Sequence, residues 1–152
     1  MTILLAAFLI GVLSGLRALT PAAVVAWAAH AGALSLGSGL AWMGSTAAMV
    51  VLVVLAIGEL IGDKLPSTPN RTAPLGLGAR IVMGALTGAC LASAGGGVAL
   101  VGAGLGAIGG IAGAFAGYRA RMDIRRASGL PDVVVAVLED LVTIAGALWV
   151  VS

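Results

Sequence analysis

Ser14-Gly15-Leu16-Arg17-Ala18-Leu19-Thr20-Pro21 interrupts an otherwise apolar run from Ile3 to Ala29. Gly15 and Pro21 both weaken a helix here. Proline lacks an N–H, and its ring clashes one turn back, near Arg17. The residue at the interruption is an arginine, in a stretch whose neighbours belong in lipid. The whole chain shares that character: of 152 residues, 61% are hydrophobic and 9% charged, with a mean hydropathy of +1.16. Soluble domains carry about 25% charged residues. The solvent implied is a bilayer, where an ionisable side chain is costly and marks a candidate functional site.

Outward from that break, the sequence predicts an all-α membrane bundle of about five spans, each near 20 residues. Residues 1–152 form one transmembrane domain. Span one runs from Ile3 to Ala29 with its break at Ser14–Pro21, span two from Leu40 to Gly62 and span three from Gly78 to Ala94. Span four runs from Val98 to Tyr118, and span five from Pro131 to Val151. The amino terminus lacks the basic segment of a secretory signal, so it reads as the start of span one.

Seven of the eight basic residues fall in two alternate connections or their edges: Lys64, Arg71 and Arg80, then Arg119, Arg121, Arg125 and Arg126. The positive-inside rule places these in the cytoplasm. With five spans in a bacterial inner membrane, the N-terminus is then cytoplasmic and the C-terminus outside. Trp27, Trp42 and Trp149 all fall at the opposite, outer surface, where tryptophan prefers to sit.

Depth follows from a rise of 1.5 Å per residue. Glu139 lies roughly 12 Å from Pro131 and Arg17 roughly 21 Å from Ile3, which brackets the midplane of a core about 30 Å thick. Arg17 is therefore expected to pair with Glu139 or Asp140. Glu59 and Asp63, four apart on one helix face, form with Arg80 a cytoplasmic gate or loop anchor. Arg17, Glu59, Asp63, Arg80, Glu139 and Asp140 are the candidate ion or substrate path. Freed backbone groups at the break, between Gly15 and Pro21, would offer a binding surface.

Gly102, Gly106 and Gly110, interleaved with Gly109, Gly113 and Gly117, leave a strip of span four without side chains. Such strips let helices meet at backbone contact. They serve either packing within the bundle or a homodimer seam. Spans one and four, and two and five, can also be aligned as an inverted repeat, an arrangement used by transporters.

One cysteine (Cys90) and one histidine (His30) provide no disulfide, no zinc set and no nucleophile–base pair. No enzyme activity and no cofactor is expected, and a nucleic-acid role is excluded by the lack of a soluble module. The partners expected are membrane lipids, a small solute or ion, and a second copy of the chain. The reading is a small transporter or channel for a proton, cation or small solute. The alternative is a structural or accessory membrane protein whose buried charges only fix helix packing.

Four elements together resemble a family of small bacterial membrane proteins known only as a domain of unknown function. They are Gly15-Leu16-Arg17-Ala18 with Pro21; Glu59 with Asp63-Lys64-Leu65-Pro66; Arg80 with Gly84-Ala85 and Gly88-Ala89; and Glu139-Asp140. The resemblance implies an integral membrane protein and supports this choice of polar residues. It implies no reaction and no substrate.

Overall fold

The computed structural model describes residues 1–63 and 72–152. Lys64, Leu65, Pro66 and Arg71, counted above among the loop charges and motif residues, lie outside the described residues. Among the described residues the fold is all-helical: α1 (Ile3–Leu16), α2 (Leu19–His30), α3 (Thr46–Gly62), α4 (Pro74–Ala94), α5 (Ala99–Ser128) and α6 (Asp132–Val151). A 3-10 turn, Ala41–Gly44, precedes α3. Three helices, α4, α5 and α6, are long and apolar enough to cross a membrane. This is the architecture of a membrane protein.

The predicted first span is not one span. α1 and α2 fold back on each other. Met1 and Ile3 at the start of α1, Ala33 and Leu34 just after α2, Gly95 after α4 and Ser152 after α6 all line one cavity. The Gly37 N–H donates to Ser93 Oγ at 3.2 Å, tying the connection after α2 to the end of α4. Call this the upper end. α1 descends from it, the chain reverses at Arg17–Ala18, and α2 returns. The first and last residues therefore share one end, which corrects the expectation of termini on opposite sides. The directions also remove the proposed inverted repeat of spans one and four. α1 and α5 run the same way, with Gly11 against Gly106 and Gly15 against Gly110 and Gly113.

The reversal has a local cause. Arg17 is extended (φ −136°, ψ 117°), so α1 stops before it. Pro21 is the third residue of α2, where the N–H has no intrahelical acceptor to lose. Continuing the helix backward would bring its ring against the Arg17 carbonyl. Gly15, expected at the break, instead lies inside α1, and its missing side chain admits α5. Ser45 starts α3 by accepting the Ala48 N–H at 3.1 Å, which cuts the predicted second span short at its upper end. α5 runs ten residues beyond the predicted end at Tyr118. Arg119 to Ser128, expected as a loop, is helix until Gly129 closes it in the left-handed region (φ +65°). Straight-chain arginines are good helix formers.

The glycine strip is consumed inside the chain. Gly102, Gly106, Gly109, Gly110, Gly113 and Gly117 are all buried. Gly102, Gly106 and Gly110 meet α4 at Gly88, Gly84 and Arg80, while Gly109 and Gly113 meet α1 at Phe8 and Val12. The strip thus packs against two neighbours within the chain, with Gly106 and Gly110 meeting both α1 and α4. α3 stands apart from this core, packed on α2 and the 3-10 turn.

Gly106→Val drives a side chain into the Gly84 carbonyl and should lose at least about 1–3 kcal/mol, the usual cost of overpacking. Gly104→Ala, which meets open space, should leave thermal unfolding in detergent unchanged. Cysteines placed at Thr2 and at Ser152 should both react with a membrane-impermeant maleimide from the same side of sealed vesicles. Labelling from opposite sides would restore an odd number of crossings.

Candidate functional site

α1 and α2 contain 14 and 12 residues, roughly 21 and 18 Å of helix. Neither reaches across a hydrocarbon core of about 30 Å. Their junction therefore ends inside the bundle. Non-helical backbone at such depth is tolerated only when protein or a polar cavity surrounds it.

The junction leaves two sets of helix-end groups to satisfy. At the start of α2 the Glu59 carboxylate accepts the Ala18 N–H at 2.7 Å and the Leu19 N–H at 2.9 Å. A negative group at a helix N-terminus also complements the helix dipole. At the end of α1 the Arg80 Nε–H donates to the Gly15 carbonyl at 3.1 Å, and Arg80 Nη1 donates to Gly76 O at 3.0 Å. The Ala18 and Leu19 amides and the Gly15 carbonyl at the break are therefore already bound. Glu59 and Arg80 act as caps reaching in from neighbouring helices.

Arg17 sits at the tip with no exposed surface. Its Nη1 contacts Asp63 Oδ2, and its Nη2 lies 2.7 Å from Asp140 Oδ1. A buried arginine without carboxylate partners would cost several kcal/mol. Two of them close in, from the end of α3 and the middle of α6. Of the two expected acidic partners, Asp140 meets Arg17 and Glu139 does not. Adjacent helical residues point about 100° apart, and Glu139 faces α5 instead, 3.5 Å from Arg121 Nη1. Asp63, expected in a separate gate, belongs to the same cluster as Arg17.

Below the tip the charges continue. Arg121 donates to both Asp132 oxygens, at 3.0 and 2.6 Å. Exposure falls steadily along this series. The side chain of Asp132 is 45% exposed, Arg121 17%, Glu139 10% and Arg17 0%. Above the tip, among the described residues, there is no Asp, Glu, Lys or Arg, and the buried polar side chains are hydroxyls: Ser14 Oγ lies 3.3 Å from Thr87 Oγ1, and Thr143 is fully buried. The tip is thus the boundary between a charged lower half and a neutral upper half. Among the described residues the ionisable groups at the tip are Arg17, Arg80, Glu59, Asp63 and Asp140.

Arg121 reads in the sequence only as a topology-setting loop charge, and Asp132 is not singled out there at all. Their signal was the eleven-residue separation across a Gly-Leu-Pro turn, which is legible once α5 is known to extend past Tyr118. His30, whose Nδ1 lies 3.1 Å from Gly44 O, and buried Cys90 lie away from this cluster. Among the described residues no group of three or more His, Cys, Asp or Glu side chains is arranged to hold a metal.

The family model described as "Domain of unknown function (DUF4126)" matches residues 4–152. The chain belongs to that family. Neither a curated protein nor a solved structure matches it.

The two caps can be weighed against each other. Glu59→Ala strands two buried N–H groups and should destabilise the protein by about 1–3 kcal/mol. Glu59→Gln retains one acceptor oxygen and should cost less. Chemical unfolding in mild detergent checks the order; equal losses would mean that Glu59 does not act through the start of α2.

Proposed function

We propose that this protein is a small transporter or channel of the bacterial inner membrane, with a polar intramembrane path for a proton, cation or small solute. The observation that carries the reading is Arg17, fully buried at the tip of the α1–α2 hairpin between Asp63 and Asp140. A membrane interior discards charges that do no work, because each one is costly to keep. The carboxylates of Glu59, Asp63 and Asp140 around the tip support a proton or a monovalent cation as the passenger. The series Asp132, Arg121, Glu139 and Asp140 supports access from the lower end.

The lower end also carries the arginines of α5. By the positive-inside rule it faces the cytoplasm. Both ends of the described chain then face outward, which replaces the cytoplasmic N-terminus expected from five spans.

A second reading is favoured by the backbone caps. Glu59 and Arg80 hold main-chain groups, as purely structural charges would. On that reading the protein is a scaffold or accessory subunit, and the ion pairs only fix the hairpin. The two readings separate on Asp140→Asn, which keeps shape and removes charge. Reconstituted wild-type protein should carry a proton or monovalent-cation flux above that of empty liposomes. The variant should lose it by about tenfold or more, the effect of some 1.4 kcal/mol on a rate, while its elution profile is retained. Absence of flux with protons, sodium, potassium and chloride alike would remove the transport reading and leave the scaffold.

A further inference from the structure

The lower end of α5 lies beyond the apolar part of that helix and carries Arg119, Arg121, Arg125 and Arg126. Its depth can be read from α6. That helix has 20 residues, about 30 Å of rise, which matches the hydrocarbon core. Its first residue, Asp132, therefore marks the edge of the core. Asp132 accepts from Arg121, and its Oδ1 lies 3.5 Å from Arg125 Nη1. The end of α5 is thus held at the level of lipid headgroups.

Asp132 engages Arg121 and Arg125. Arg119 and Arg126 are exposed and make no ion pair among the described residues. They are seven apart, so they share a helix face to within about 20°. Met122 lies between them, and the same face carries the exposed Ile108, Ile111 and Phe115 higher up. At its lower end this face runs into a pocket of about 320 Å³ lined by Met122, Arg125, Arg126, Gly129 and Leu130. The pocket forms because the chain turns at Gly129, whose N–H donates to the Arg125 carbonyl at 3.0 Å. Two guanidinium groups and an apolar floor meet there.

We infer that this pocket holds the phosphate of an anionic phospholipid on Arg125 and Arg126, with an acyl chain lying up the face past Met122 and Phe115 toward Ile108. The planar guanidinium fork matches a phosphate, and arginines at headgroup level attract anionic lipids. The last carbonyls of α5 are the negative pole of the helix, so the attraction comes from the side chains and not from the backbone. Asp123 is about 60° round the helix from Arg126 and does not line the pocket. A choline head would bring a positive charge to the arginines, which disfavours a zwitterionic lipid. Free phosphate would meet the same guanidinium groups. The apolar row leading into the pocket is what favours a lipid. The inference concerns binding alone and is independent of the transport reading.

The test is native mass spectrometry of the full chain in detergent, with phosphatidylglycerol or phosphatidylcholine of equal chain length added. Phosphatidylglycerol should bind saturably and about tenfold or more tightly than phosphatidylcholine. Arg126→Gln, which leaves the Arg125 contact with Asp132 in place, should weaken phosphatidylglycerol by about fivefold, the worth of one arginine at an anionic surface, with an unchanged elution profile. Arg125→Gln combined with Arg126→Gln should abolish the preference between the lipids. Asp123→Asn should not weaken it. Equal binding of the two lipids by the wild-type protein would overturn the proposal, as would a preference that survives the double substitution. Displacement of phosphatidylglycerol by millimolar inorganic phosphate would also overturn it, because the ligand would then be the free anion.

Discussion

A helix that stops inside a membrane must give its end groups partners, because lipid offers none. Everything around the Arg17–Ala18 reversal follows from that constraint. The carboxylate that takes the first amides of α2 comes from α3, and the guanidinium that takes the Gly15 carbonyl near the end of α1 comes from α4. Both caps are charged, so each brings a desolvation cost. Each also sits at the helix pole of opposite sign, where that cost is lowest. The hairpin is held from two sides by elements distant in sequence.

The caps can reach only because the helices are close. Gly11 and Gly15 let α1 lie on α5 at backbone contact, and Gly84 and Gly88 do the same for α4. Without a hydrophobic drive between helices in lipid, this packing is the main source of association. It also sets the position of the Gly15 carbonyl relative to Arg80. A methyl group in these contacts would therefore do more than cost packing energy. It would shift the tip away from its caps.

The membrane class, the helical fold and the identity of the polar residues are legible in the sequence, because charge in an apolar run stands out whatever the topology. The number and direction of the segments are not. The run from Ile3 to Ala29 has the length of one span, and a break in it reads equally as a kink or as a reversal. Arithmetic from helix rise then placed Arg17 at mid-depth by assuming the chain kept going. The same assumption put Glu59 and Asp63 at a separate gate, when the returning α2 brings both to the tip. The glycine spacing announced close approach but could not name the partner, since α1, α4 or a second copy would each satisfy it. Arg119 to Ser128 reads as a connection because the apolar run ends at Tyr118, whereas arginine suits an exposed helix and α5 continues to Ser128.

The two halves of the bundle differ in kind, and that difference bears on mechanism. Below the tip, ionised side chains descend to the surface with rising exposure. Above it lie Ser14, Thr87 and Thr143, and then an apolar shell. A passenger admitted from below meets its last charge at Arg17 and Asp140. Moving further means leaving an ionic environment for hydroxyls that are already engaged, Ser14 and Thr87 with each other and Thr143 with the Glu139 carbonyl. A static path through that layer would be dry. On the transport reading, the moving part is then the α1–α2 hairpin, whose tip ends inside the bundle on the Asp63 and Asp140 ion pairs of Arg17. Its motion would have to exchange the Asp63 and Asp140 contacts of Arg17 one at a time, since releasing both together would strand a buried guanidinium at a cost of several kcal/mol.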